Sequence, residues 1–155
     1  MELREYRKSQ KLTQKEAANL VGIPFRTYLR YETEDSYANS YKYRKIFEDL
    51  QAKCLIDETH GILSFSSIKE IVVPILKRHG ISYCYLFGSY ARNEAKENSD
   101  VDLLVDTNLT GIAFFQLIEE IRESLKKRVD LLRLVDLESG NPLARTILVE
   151  GIKII

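Results

Sequence analysis

Leu86-Phe87-Gly88-Ser89-Tyr90-Ala91-Arg92-Asn93-Glu94-Ala95-Lys96-Glu97-Asn98-Ser99-Asp100-Val101-Asp102-Leu103-Leu104-Val105 is the stretch whose reading decides the fold. It parses as a buried strand, a Gly-Ser turn, a short polar helical stretch and a second strand carrying two aspartates. Side chains alternate along a strand, so Asp100 and Asp102 project to one side, a few ångströms apart. Two like charges at that separation are costly unless something positive sits between them, most simply a divalent cation. The turn ahead of them offers a glycine, a hydroxyl and the free backbone N–H groups of a starting helix, a place for phosphate oxygens. A phosphate cradle and a cation-binding pair of carboxylates therefore come from one stretch.

That combination suits nucleotidyl transfer, and the wording carries a resemblance. Gly88-Ser89, ten intervening residues and then Asp100-Val101-Asp102 is similar to the signature of the polymerase-beta-like nucleotidyltransferase superfamily. Phe-Gly-Ser-Tyr-Ala-Arg and Ser-Asp-Val-Asp-Leu-Leu-Val resemble its minimal nucleotidyltransferase branch, over about Gly61 to Ile155. The resemblance implies in-line attack of a hydroxyl on the α-phosphorus of a nucleoside triphosphate, with ATP as donor. Asp100 and Asp102 would hold Mg²⁺ against the triphosphate, and a second Mg²⁺ would activate the incoming hydroxyl. Gly88 and Ser89 would bind the nucleotide, and Arg92 would neutralise the leaving pyrophosphate. The family's third acid falls on Asp130, which would share the second ion and act as general base. By its own setting, Val129-Asp130-Leu131-Leu132, this is a lone charge in an apolar strand, where a partner or a metal is needed. A salt bridge to Arg128 or Arg133, or an edge-strand position, would also satisfy it. One departure is Asn93, where the family usually has glycine; asparagine is among the few residues that tolerate a left-handed backbone.

Outward from this stretch, a chain of 155 residues with 45% hydrophobic and 30% charged content has the composition of a globular protein with one good core or two small ones. A formal net charge of zero excludes blanket basicity, so any nucleic-acid contact must come from a local patch. Cys54 and Cys84 lie in apolar surroundings without metal-like spacing, which fits reduced thiols. No apolar run approaches bilayer length and the charged N-terminus lacks a signal core, so the expectation is a cytoplasmic protein with no membrane contact.

The local patch is at the N-terminus. Arg4, Arg7, Lys8, Lys11, Lys15, Arg26 and Arg30 face only Glu5 and Glu16 between residues 4 and 30. Glu2–Ser9 reads as a helix. Thr13 with Glu16 three residues on forms a capping box for a second helix, ended by Gly22. Pro24 opens a third helix, Phe25–Glu32. Helix, glycine-containing turn, helix is the helix-turn-helix arrangement, and residues 2–34 resemble the phage-repressor type. That resemblance implies operator DNA as a partner, with Phe25, Arg26, Thr27 and Arg30 reading bases and Gln14 and Lys15 meeting phosphates. Residues 34–43 read as a loose polar segment, and Tyr41–Leu55 as a helix closing this small core.

The predicted architecture is α+β: a helix-turn-helix domain (1–56), a linker (57–61) and a nucleotidyltransferase domain (62–155) with a mixed sheet flanked by helices. In the latter we expect a helix through Arg78, interrupted or kinked at Pro74. Strands are expected at Ile81–Phe87, Val101–Val105 and Val129–Val135, and helices at Ile112–Lys127 and Pro142–Glu150, before an apolar tail, Ile152–Ile155. His60 and His79 read as linker and helix-end residues. Members of the minimal branch act as antitoxins that adenylylate a HEPN-type RNase toxin on tyrosine, so the resemblance implies such a partner and self-repression through the head. Transfer to a small acceptor, as in aminoglycoside nucleotidyltransferases, and a repressor with an inactive body are the alternatives.

Overall fold

The computed structural model describes residues 2–138 and 140–155. The chain divides into two units, the first ending at Leu55 and the second running Ile56–Ile155.

The first unit is all helical: α1 (Leu3–Ser9), α2 (Gln14–Leu20), α3 (Phe25–Thr33) and α4 (Tyr41–Cys54). The capping box forms as the spacing predicts. The Thr13 hydroxyl accepts from the Glu16 N–H at 3.2 Å, and the Glu16 carboxylate accepts from the Thr13 N–H at 2.7 Å. Pro24 stands at the N-cap of α3, one position ahead of its first turn. The segment expected to be loose contains a turn of 3₁₀ helix, Asp35–Tyr37, with the Tyr37 ring packed on Tyr31 at 4.9 Å. Ala17 and Ala18 are buried against Tyr28 and Leu50, where small residues let helices approach closely. One expectation needs correcting. Arg7, counted in the basic patch, is buried: it forks Glu32 through Nε at 3.0 Å and a terminal nitrogen at 2.7 Å, and reaches the Leu12 carbonyl at 2.6 Å. Its charge is spent inside the fold.

The second unit follows in the order α5 (Phe65–Arg78), β1 (Cys84–Phe87), α6 (Gly88–Ala91), β2 (Val101–Val105), α7 (Gly111–Leu125), β3 (Val129–Arg133), α8 (Pro142–Glu150) and β4 (Ile152–Lys153). The sheet is mixed, with strand order β3-β2-β1-β4. β1 pairs antiparallel with β2 and β4, and β2 pairs parallel with β3. Alternation sorts the two faces. Leu86, Val101, Leu103, Val105 and Leu131 join Val72, Ile121 and their neighbours on α5 and α7 in the main core. Phe87 and Leu104 turn the other way, against Ile147 of α8.

Three expectations change here. α5 runs unbroken through Pro74, which lies on the exposed side, while Ile68, Val72, Ile75 and Leu76 bury the opposite stripe and hold the helix to the core. The strands at residues 81–87 and 129–135 are shorter than read, because hydrophobicity marks burial and not pairing. The apolar tail adds a fourth strand that the sequence reading does not include: Ile152 pairs with Leu86 and Lys153 with Tyr85. Gly151 makes that possible, since a Cβ there would lie 2.4 Å from the Ile147 carbonyl oxygen as the chain turns from α8 into β4.

Residues 57–60, at the start of the stretch read as a linker, form a hydrogen-bonded turn. The Asp57 carboxylate accepts from the N–H groups of Thr59 (2.7 Å) and His60 (2.9 Å), which holds it well below the usual carboxylate range. Among the described residues no helix is long and apolar enough to cross a membrane.

Candidate active site

β1, β2 and the α6 turn bring the Gly-Ser turn and the aspartates together because the register allows nothing else. Phe87 pairs with Asp102 across β1 and β2, so Gly88 emerges directly over the Asp102 side chain. Gly88 has φ +70°, and a Cβ built on it would lie 2.1 Å from an Asp102 carboxylate oxygen. Any other residue would meet both a strained backbone and a collision. Glycine at this position is therefore required by the carboxylate as well as by any ligand of the turn. The chain leaves α6 through Asn93, whose φ of +58° is the left-handed conformation expected of it.

Asp102 and Asp130 are direct partners in the parallel β2–β3 pairing, so the two acids share a face. It is the face that carries Phe87, Leu104 and α8, away from the main core. Asp102 is half-buried there, and its carboxyl is pushed up to about 6, first by burial, then by the negative charges of Asp130 and Asp100, with Arg92 opposing. Asp100, one residue ahead of β2, is exposed and pairs with Arg128 at 3.0 Å. Arg133 pairs with Asp136 at 2.7 Å. Both arginines that could have neutralised Asp130 are thus engaged elsewhere, and Asp130 itself is exposed on β3, the edge strand of the sheet, as the edge-strand reading allowed. Arg92 caps α6 and is held by Glu94 at 2.8 Å and Glu150 at 3.0 Å. Glu150 comes from α8, 58 positions along the chain, so no local sequence signal marks it as the partner of Arg92.

Among the described residues no three His, Cys, Asp or Glu side chains are already gathered as a ready cation cage. Asp100 is turned to Arg128 instead. The donor set nonetheless suits a hard divalent cation. Three carboxylates on adjoining backbone offer oxygen ligands, and Asp102 is raised by burial together with the charges of the other two.

In the helical unit the proposed base readers and phosphate contacts differ in freedom. Phe25 and Arg26 are exposed at the start of α3, and Thr27 is half-buried. Arg30 lies over the rings of Tyr31 (5.8 Å) and Tyr37 (5.3 Å). Lys15 is exposed, whereas Gln14 donates inward to Glu32 at 3.3 Å.

Comparison with known proteins agrees with both halves. Residues 70–155 match the family described as polymerase beta nucleotidyltransferase, and residues 3–50 match a helix-turn-helix family. The protein adenylyltransferase MntA of Thermococcus cleftensis is 41% identical over 96 residues, covering 58% of this chain and 95% of that protein. A Methanocaldococcus jannaschii protein provisionally assigned as a protein adenylyltransferase is 42% identical over 73 residues, 45% of this chain and 77% of its own. Among solved structures, a chain of a toxin–antitoxin complex crystallised with AMP-PNP superposes with a TM-score of 0.51 at 25% identity. The match covers 56% of this chain and 72% of that one.

Proposed function

The chain belongs to the polymerase beta nucleotidyltransferase family, among its protein adenylyltransferases, and from that membership we propose that it transfers AMP from ATP to a HEPN-type RNase toxin and acts as the toxin's antitoxin. The observation that carries the reading is Asp102 facing Asp130 beneath the Gly88 turn, its carboxyl raised first by burial and then by the neighbouring acids. The names of the relatives and the toxin–antitoxin setting of the structural neighbour support a protein as acceptor.

In this reading Asp100, Asp102 and Asp130 would hold two Mg²⁺ ions. Bound there, Mg²⁺ neutralises triphosphate charge and lowers the pKa of the acceptor hydroxyl. The protein's own groups do the rest. The backbone of the Gly88 turn and the Ser89 hydroxyl take phosphate oxygens. Arg92, fixed by Glu94 and Glu150, sets positive potential beside the departing pyrophosphate. Asp130 accepts the proton of the attacking hydroxyl, and the oxygen so exposed attacks the α-phosphorus in line with the leaving group.

The head binds operator DNA and represses its own synthesis. Phe25, Arg26, Thr27 and Arg30 face bases from α3, and Lys15 with the start of α2 at Gln14 lies along phosphates. A cytoplasmic site of action follows from both partners. The test is incubation of the full chain with ATP, Mg²⁺ and the HEPN protein of the adjacent reading frame, followed by intact mass. The HEPN protein should gain one or more AMP units; an unchanged mass beside a wild-type chain that binds ATP would exclude it as the acceptor.

A further inference from the structure

We propose that Lys127 is a positioning residue for Asp100, acting on the backbone of the loop that carries it; the inference rests on reading Asp100, Asp102 and Asp130 as a cation site.

Asp100 lies at the end of an irregular segment, one residue before β2 begins at Val101. Sheet pairing therefore does not fix it directly. What holds the segment is the entry to β3. α7 ends at Lys126 in a left-handed turn, φ +56°, and the next side chain points inward. Lys127 is completely buried, and its ammonium donates to the carbonyl of Glu97 at 2.5 Å and to that of His60 at 2.8 Å. The following residue continues the grip. The Arg128 carbonyl accepts from the Val101 N–H at 2.9 Å, and its guanidinium donates to the Asn98 carbonyl at 3.2 Å. Asp130 comes two residues later. The same few residues thus carry one proposed ligand and fasten the loop that carries another.

Chemistry explains why a lysine stands here. A methionine would fill the space without the cost of stripping water from a charge, so a buried ammonium answers to what it binds. Its two acceptors are backbone carbonyls, one before Asp100 and one in the turn at residues 57–60. Lys127 fixes chain position and leaves the carboxylates to the cation. A loop free to drift would leave Asp100 wherever Arg128 or solvent drew it, and the ligand set would have to be ordered at the moment of binding.

The test uses the full chain, with Mn²⁺ titrated in the presence of α,β-methylene-ATP and free Mn²⁺ read by electron paramagnetic resonance. Circular dichroism at the titration temperature reports folding. Lys127→Met should stay folded with a lower melting temperature and need roughly tenfold or more Mn²⁺ for half-saturation. Lys127→Arg, which keeps charge and donors, should lie between it and wild type. Ser99→Ala removes the hydroxyl that accepts from the Lys96 N–H at 2.8 Å in the same loop, and should shift the midpoint the same way. A folded Lys127→Met with the wild-type midpoint overturns the proposal. If that variant does not fold, Ser99→Ala decides, and an unshifted midpoint overturns it. Asp102→Asn separates the two layers: should it bind Mn²⁺ as wild type does, the cation site itself is wrong and the positioning role falls with it. With Asp102→Asn impaired and Lys127→Met unaltered, only the positioning role is lost.

Discussion

Both halves of the chain place charged groups on packed elements, and they resolve the cost in opposite ways. In the helical unit the Glu32 side chain is out of solvent, and the Arg7 guanidinium meets it in a forked contact at 2.7 Å. Opposite charges, good geometry and a further hydrogen bond from Gln14 close the account locally. In the sheet, Asp102 faces Asp130 across the β2–β3 pairing, and its carboxyl sits near 6. There, burial first and then the like charges that backbone register brings near disfavour its ionised form. A pair that satisfies itself is structural; a set that cannot satisfy itself awaits a ligand.

The largest expected effect lies on the unsatisfied side. Asp102→Asn should lower nucleotidyl transfer by about a thousandfold or more, measured as AMP incorporated into the HEPN protein. The same change should raise the melting temperature of the metal-free chain at pH 7. The sign follows from the raised carboxyl. Wild-type Asp102 favours the folded state while protonated, and that contribution is lost as pH rises from about 4 through about 6. The melting-temperature gap between variant and wild type should therefore close as pH falls through that window. A variant that is inactive yet less stable at pH 7 would break the contrast.

Glu32→Ala tests the satisfied side. It strands a buried guanidinium and should cost about 3–5 kcal/mol of stability in the helical unit, read by denaturant unfolding of the full chain. Transfer should survive, since the carboxylate site lies in the other unit. Replacing both members, Arg7→Met with Glu32→Leu, should recover most of the loss. Gly88→Ala comes next. The left-handed backbone alone costs about 1–3 kcal/mol, and the methyl displaces Asp102, so stability and triphosphate affinity should fall together. The smallest effects belong to the DNA surface. Arg26→Ala should cost about 1–3 kcal/mol for one operator and relax its sequence preference, whereas Lys15→Ala should weaken all sequences alike and reduce the salt slope by about one. Both are measured by titrating labelled duplexes at several salt concentrations.

What could be read from the residues divides along the line between local and distant causes. The Thr13–Glu16 capping box, the left-handed Asn93 and the strand around Asp102 are decided within a few positions, and periodicity exposes them. The mixed sheet, with three of its four strands, and the helix-turn-helix head follow from such local signals together with the family resemblance. Long-range partners were invisible. Arg7 reads as one more surface cation until α3 delivers Glu32, 25 positions away, to its side. Lys127 lies in a Lys-Lys-Arg run that looks solvated, yet the left-handed turn at Lys126 sends it inward. Ile152–Ile155 looks like an unpaired tail because two residues of pairing leave no period to detect. In each case the deciding group is far along the chain, and no window on the sequence contains both.

The central claim is that three like charges carried by β2, β3 and the residue ahead of β2 exist to move a nucleotide. It is tested most directly by supplying ATP labelled at the α- or the γ-phosphate, with Mg²⁺ and the neighbouring HEPN protein, and following which label becomes protein-bound. The α-label should transfer with wild type and fail with Asp102→Asn, while the γ-label stays in pyrophosphate. Transfer of the γ-label, or α-label transfer undiminished in Asp102→Asn, would contradict it.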